Sequence, residues 1–253
     1  MRILVLGHGK TGKLVAEVAT QRGHGVHVLD AKENPGAAAL TPPFVAGFDV
    51  AIDFTAPEAA VQNMRACLAT GARMVVGTTG WYDKLPDMRG LAERKQAGLL
   101  YGTNFSIGVQ TMLKLAEQMG AALGHAGYTF SVVETHHVSK LDAPSGTAIS
   151  IREMVVRGAG TEIEVRIDAI REGDAMGTHV LEAASDAERL VLTHEAMSRR
   201  GFAEGAVRAA EWLSTRTGSY DFRDVYTELL GFPREVGAVD SHAKAHGFLT
   251  LGP

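Results

Sequence analysis

Short apolar runs alternate with helical stretches through the first hundred residues: Ile3 to Leu6, Val26 to Leu29, Val50 to Phe54, Met74 to Val76 and Leu99 to Tyr101. Runs that are apolar throughout, rather than every second residue, predict strands covered on both faces, as crossover helices cover a parallel sheet. Between the first two runs, Leu14, Val15, Val18 and Ala19 form one helical stripe, which completes a βαβ unit. After Gly108 the pattern changes. Residues 109 to 123 read as a long helix. Tyr128 to Glu134, Glu162 to Ile170, His179 to Ala183 and Arg189 to Thr193 then read as strands of a mixed or antiparallel second sheet. The stretch Ala203 to Leu213 is helical again and is read as the return to the first unit. The fold class expected is α/β, an N-terminal Rossmann-like parallel-sheet domain with an inserted α+β domain. Residues 1–106 and 200–253 would bind a dinucleotide, and residues 107–199 would bind substrate and mediate oligomerisation.

Composition narrows the function classes. With 253 residues, 45% hydrophobic and 21% charged, the chain can bury one or two cores. A net charge of −4 supplies no basic field to hold a polyanion, so nucleic acid is not an expected partner. The start MRILVLGHG has too short an apolar run for a signal peptide or membrane span, so neither membrane association nor export is expected, and a cytoplasmic location is. Cys67 is the single cysteine, sits in a helical apolar pattern and is read as a buried structural thiol.

The segment ILVLGHGKTGKLV places Gly7, Gly9 and Gly12 in a G-x-G-x-x-G pattern between a strand and a helix. Gly7 permits the turn, Gly9 lets backbone approach a pyrophosphate, and Gly12 allows the helix to pack closely. The helix N-terminus offers free N–H groups to phosphate oxygens. His8, Lys10 and Thr11 belong to the same cradle. Asp30, at the end of the second strand, is placed to accept hydrogen bonds from a ribose diol and favours NADH, whereas Lys10 and Lys32 could neutralise the extra phosphate of NADPH. NADH and/or NADPH is therefore the expected cofactor. Gly77, Thr78 and Thr79 follow the fourth strand, and Thr103, Asn104 and Phe105 follow the fifth. Both loops lie beyond carboxyl ends of strands and point to the nicotinamide end.

The densest polar cluster runs from Glu134 through Thr147, ETHHVSKLDAPSGT. Ser145 is a candidate N-cap, and the helix start at Gly146 and Thr147 suits a carboxylate. His136, His137 and Lys140 offer the choice of a proton donor. Glu134 and Asp142 with the paired histidines are conceivable metal ligands, but adjacent strand residues face opposite sides and the lysine repels a cation, so no metal is expected.

The phrase ETHHVSKLDAPSGTA resembles the signature of the dihydrodipicolinate reductase family. The similarity extends to Gly7–Gly12, Asp53-Phe54-Thr55, Gly77–Gly80, Asn104–Val109, Arg171–Asp174 with Gly177 and His179, and Ser198–Arg208. The resemblance implies hydride transfer from NAD(P)H to a cyclic dicarboxylate of imine type, with loss of water, in lysine and diaminopimelate biosynthesis. It implies that His136 accepts or donates a proton and Lys140 donates one, that His137, Gly146 and Thr147 bind substrate, and that Phe54, Thr55 and Gly102 line the cofactor site. It also implies a homotetramer. Arg199 is expected to add to carboxylate binding. The chain departs from the family pattern at Asp30-Ala31, where an acid–arginine pair is usual, in a glycine loop one residue tighter than in many members, and in the segment after Leu230. Residue chemistry alone leaves open another two-domain amino-acid dehydrogenase or a dinucleotide-sensing module. The isolated Cys67 speaks against the thiol-dependent kind of dehydrogenase and the His/Lys cluster against the module.

Overall fold

The computed structural model describes residues 1–231; the remaining 22 residues, to which part of the expected return segment belongs, lie outside it. The apolar runs form β1 (Arg2–Leu6), β2 (Gly25–Leu29), β3 (Val50–Asp53), β4 (Arg73–Val76) and β5 (Gly98–Tyr101). All pair in parallel, and a sixth strand, β10 (Gly218–Asp221), extends the sheet beyond β5 in the order β10-β5-β4-β3-β1-β2. No apolar run announces β10. Its four residues GSYD are half-buried, and it is a strand because β5 offers it a free edge.

The helices α1 (Lys10–Gln21) and α7 (Arg200–Leu213) pack against each other on one face of this sheet, while α3 (Pro57–Ala69) and α4 (Leu85–Lys95) cover the other. Ala203, Ala206, Val207, Ala210 and Leu213 of α7 share a buried cluster with Val15 and Val18 of α1 and Ile3, Val5 and Ile52 of the sheet. Cys67 is buried on α3, and burial pushes its thiol up to about 12, as an inert structural thiol requires. Strand order reverses at β1, with β2 on one side and β3 on the other. The crevice beyond the carboxyl ends of β1 and β3 is the switch point at which open α/β sheets take their ligands.

The second sheet contains β6 (Thr129–His136), β7 (Val165–Arg171), β8 (Thr178–Ala184) and β9 (Arg189–Glu195) in the order β7-β6-β8-β9. It is mixed: β6 pairs with β7 in parallel, across the crossover helix α6 (Gly146–Ala159), and the other pairs are antiparallel. The long helix α5 (Ile107–Leu123) begins two residues before the apolar pattern does, because Ser106 caps it by accepting from Val109 N–H at 3.3 Å. α5 and α6 lie side by side over one face of the sheet, and their backbones touch where a side chain would not fit. A Cβ on Gly158 would come within 1.9 Å of the Glu117 carbonyl oxygen.

Candidate active site

The glycine loop is built as its pattern requires. Gly7 sits at φ +96°, where a Cβ would lie 2.4 Å from the Phe54 carbonyl oxygen, and a Cβ on Gly12 would lie 2.1 Å from the Gly7 carbonyl oxygen. Gly9 is the N-cap of α1 and supplies no side-chain cap, so the first N–H groups of the helix face outward, with open space where its own Cβ would be. His8, Gly9 and Lys10 are exposed around that space. The loop thus fits a pyrophosphate.

Asp30 follows β2. Its Oδ1 accepts from the N–H groups of Lys32 at 2.7 Å and Glu33 at 3.1 Å, which folds the next turn and leaves Oδ2 for a ligand. Glu33 folds back so that Oε2 accepts from Asp30 N–H at 3.1 Å, bringing a second carboxylate to this corner that sequence reading did not mark.

Several residues expected at the cofactor have their side chains committed elsewhere. Asp53, wholly buried, accepts from the Thr55 hydroxyl at 2.7 Å, the Thr78 hydroxyl at 2.7 Å and the Asn63 amide at 2.8 Å. Thr78 therefore turns inward. The Phe54 ring lies beneath Gly77, where a Cβ would meet it at 2.2 Å, and Phe105 is core, its ring tilted against Phe222 with centroids 4.5 Å apart. A Cβ on Gly102 would crowd Phe222 at 2.9 Å. Phe105 and Gly102 shape the loop from behind, whereas Thr79, Thr103 and Asn104 face a cleft.

That cleft, about 900 Å³, lies between the two sheets. On its far side stand His136, His137, Lys140, Gly146, Thr147 and Arg199, with Ser145 at its edge. Asn104 spans it, its Nδ2 donating to Thr147 Oγ1 at 3.4 Å. Ser145 caps α6 by accepting from Ala148 N–H at 3.2 Å, and its φ of −66° and ψ of 153° are those of a cap. Gly146 and Thr147 are the first residues of the helix, with clear space before Gly146. His137 is hydrogen-bonded to Ser139 through Nδ1 at 2.8 Å. Lys140 Nζ donates to both carboxylate oxygens of Asp142, at 2.8 and 2.9 Å, and these bonds hold the Asp142 carboxyl below its usual range. The lysine is thus a held cation at the wall of the cleft.

The period of two on β6 turns Phe130, Val132, Glu134 and His136 toward the helices, so two ionisable side chains continue a core face. Parallel register puts Arg171 opposite His136, and antiparallel register puts His179 opposite Glu134. Glu134 Oε2 is paired with His136 Nδ1, while Oε1 accepts from Arg171 Nη2 at 2.9 Å and Ser145 N–H at 3.1 Å. Burial lowers the His136 pKa below 6.5. Glu134 opposes that shift, and Lys140 and Arg171 reinforce it. His179 drops to about 4, chiefly through burial and secondarily through the neighbouring His136 and His194. Sequence reading gave Arg171 and His179 no role. The signal that could have found them was a polar pair at i and i+2 on a core face, which needs buried partners.

Glu134, His136 and His179 bring one donor atom each within 4.8 Å of one another, a spacing that could suit a metal. The donor set does not: Glu134 Oε1 already accepts from Arg171 and Ser145, and the Arg171 cation at the carboxylate repels a second one.

Models of the dihydrodipicolinate reductase N-terminus and C-terminus match residues 1–105 and 108–226. The chain is 34% identical over 242 residues to the 4-hydroxy-tetrahydrodipicolinate reductase of Christiangramia forsetii, covering 90% of this chain and 99% of that one. It is 37% identical over 230 residues to the enzyme of the same name from Chromohalobacter salexigens, covering 83% and 82%. Its fold is similar to that of dipicolinate-bound dihydrodipicolinate reductase from Paenisporosarcina sp. TG-14, with a TM-score of 0.73, 22% identity, and 89% and 99% of the chains covered. With both halves matched in order and a reductase-type dinucleotide fold in the first, the chain belongs to the dihydrodipicolinate reductase family and is an oxidoreductase of that family.

Proposed function

We infer that the chain reduces 4-hydroxy-tetrahydrodipicolinate to tetrahydrodipicolinate and water in lysine and diaminopimelate biosynthesis, drawing on NADH or NADPH. The observation that carries this reading is the single cleft that joins the β4 and β5 loops to His136, Lys140 and the start of α6. When bound, the dinucleotide supplies the hydride. The chain supplies the rest. Gly146 and Thr147 N–H groups hold one ring carboxylate at the α6 start, with His137 and Arg199 adding charge and donors. Hydride arrival leaves negative charge on the ring, which Lys140 Nζ and His136 quench by proton transfer and electrostatics. Residues 1–106 with the return segment from 200 bind the dinucleotide, and residues 107–199 bind substrate.

Asp30 and Glu33 set two carboxylates at the ribose corner, an arrangement that favours NADH. The face of the second sheet away from α5 and α6 exposes Val191 and Ile170, and a homotetramer would cover it. No helix among the described residues is long and apolar enough to cross a membrane, and the proposed location is cytoplasmic. The reading is tested by following NADH and NADPH oxidation with the product of dihydrodipicolinate synthase as substrate. Turnover dependent on that product supports it, and oxidation of neither cofactor overturns it.

A further inference from the structure

Two proton-transfer groups four residues apart, one at a strand end and one in the loop after it, do not hold their own geometry. Lys140 lies in an irregular segment, and His136 is the last residue of a strand. What fixes both is one buried ion pair. Arg171 reaches Glu134 through Nη2, and the same guanidinium donates from Nε to the Lys140 carbonyl at 3.3 Å and from Nη2 to the Asp142 carbonyl. Glu134 carries the arrangement onward, with Oε2 on His136 Nδ1 and Oε1 on the N–H of Ser145, the N-cap of α6. Oε1 is thereby shared between Arg171 and Ser145, and Oε2 is left facing His136 Nδ1 with no other partner among the described residues.

We propose that Glu134 and Arg171 are positioning residues: Glu134 holds His136 in the tautomer with its proton on Nδ1 and Nε2 unprotonated, and Arg171 anchors the backbone that carries Lys140. The inference rests on the proton-transfer reading of those two side chains. A carboxylate at Nδ1 orients an imidazole and stabilises the imidazolium it becomes, so that Nε2 exchanges the proton. The groups facing His136 are Glu134 on its own strand, Arg171 on β7, His179 on β8 and Lys140 in the following loop. Glu134 is the only anion among these four, so its removal leaves the imidazolium facing two cations, Arg171 and Lys140, and the neutral ring of His179.

Glu134→Gln is the direct test. The amide oxygen can keep Arg171 and Ser145, which turns the NH₂ toward His136 Nδ1 and forces the opposite tautomer, with the proton on Nε2. Nitrogen NMR of ¹⁵N-histidine-labelled protein should show His136 protonated on Nδ1 in the parent and on Nε2 in the variant, with a lower titration midpoint. The kcat should fall by roughly 10-fold or more, as for loss of a group that orients a catalytic ligand, while NADH affinity holds. An unchanged His136 tautomer and midpoint overturn the proposal whatever happens to kcat. If the tautomer inverts but His136→Ala keeps the parent's kcat, the positioning stands and the proton-transfer reading of His136 fails. Should Glu134→Gln not fold, Arg171→Lys tests the same frame. A single ammonium cannot hold the carboxylate and two carbonyls together, so kcat should fall and its pH profile should move; parent-like values of both overturn the proposal.

Discussion

Asp53 at the end of β3 and Glu134 near the end of β6 are both wholly buried carboxylates, one in each sheet, and their proton affinities move in opposite directions. Burial dominates at Asp53 and raises its pKa, because every partner it has, Asn63, Thr78 and Thr55, is a neutral donor. Burial acts in the same sense at Glu134, but Arg171, Ser145 and His136 together reverse it. The cofactor half thus spends its carboxylate on shaping loops with neutral hydrogen bonds. The second half uses its own to keep charges in place beside the cleft where proton transfer is proposed. The separation of roles predicts that changes in the second half act on turnover and changes in the first on dinucleotide binding.

The largest test of that division is Lys140→Ala, which should lower kcat by roughly 10²-fold or more with NADH affinity unchanged. His136→Ala should act in the same direction. Steady-state kinetics beside calorimetric NADH titration reads both quantities. A Lys140→Ala enzyme with normal kcat and collapsed NADH binding would place the lysine in the cofactor half and break the comparison.

A smaller effect concerns stability in acid. His179 has a folded pKa of about 4 against an ordinary 6.5, so the unfolded chain binds the extra proton first as pH falls. Its contribution to stability is complete above pH 6.5 and is lost progressively down to pH 4, about 2 kcal/mol once solvent access to the ring is allowed for. The groups around it are His136, His194, Glu134 and Lys140, and Ser145 Oγ lies 3.3 Å from Nε2. Denaturant melts at pH 7 and pH 4.5 should show this loss, and His179→Gln should flatten it. An equal slope in the variant would mean that another group titrates there.

The two carboxylates can be set against each other directly by the pH dependence of their amide variants. Glu134, its pKa lowered by folding, stabilises above its unfolded pKa and loses that contribution as pH falls through its folded one. Asp53, its pKa raised, is bound by the opposite sign and favours the folded state more as it protonates. The cost of Glu134→Gln should therefore shrink between pH 7 and pH 4, and that of Asp53→Asn should grow. Parallel trends in the melts would remove the contrast between the halves.

The same contrast governs what the sequence made legible. The five apolar runs of the first sheet, its glycine loop and the helix α7 are local patterns, and all formed where the periodicity put them. The short strand β10 was invisible, because it exists through pairing rather than composition. In the reaction half, the motif from Glu134 to Thr147 marked the place, but not the partners. Arg171 and His179 reach Glu134 only through the register of β6 with β7 and β8, a long-range property that no spacing encodes. At Thr78 and Phe105 the loops were legible but not the side-chain directions: burial gives one hydroxyl to Asp53 and one ring to the core.

The smallest expected effect is the choice between the two dinucleotides, and it turns on the corner where sequence supplied charges of both signs. Asp30 uses Oδ1 to fold the turn through Lys32 and Glu33, which leaves Oδ2 for the proposed ribose diol, while Glu33 is held beside it by the Asp30 N–H. A 2′-phosphate at this corner would meet two carboxylates held by the turn. Lys32 follows the turn on an exposed, flexible side chain and Lys10 stands at the glycine loop, so each can partly neutralise that phosphate but neither is fixed against it. NADH should therefore bind at least as tightly as NADPH, with the two within about tenfold, or 1.4 kcal/mol, of each other. Glu33→Gln should narrow the gap without disturbing kcat, because the Gln amide oxygen can still accept from Asp30 N–H and only the charge is lost. Calorimetry with both cofactors measures this. A preference for NADPH beyond tenfold in the unaltered protein would show that the lysines outweigh the carboxylates, and would make this corner the one place in the cofactor half where charge rather than shape decides.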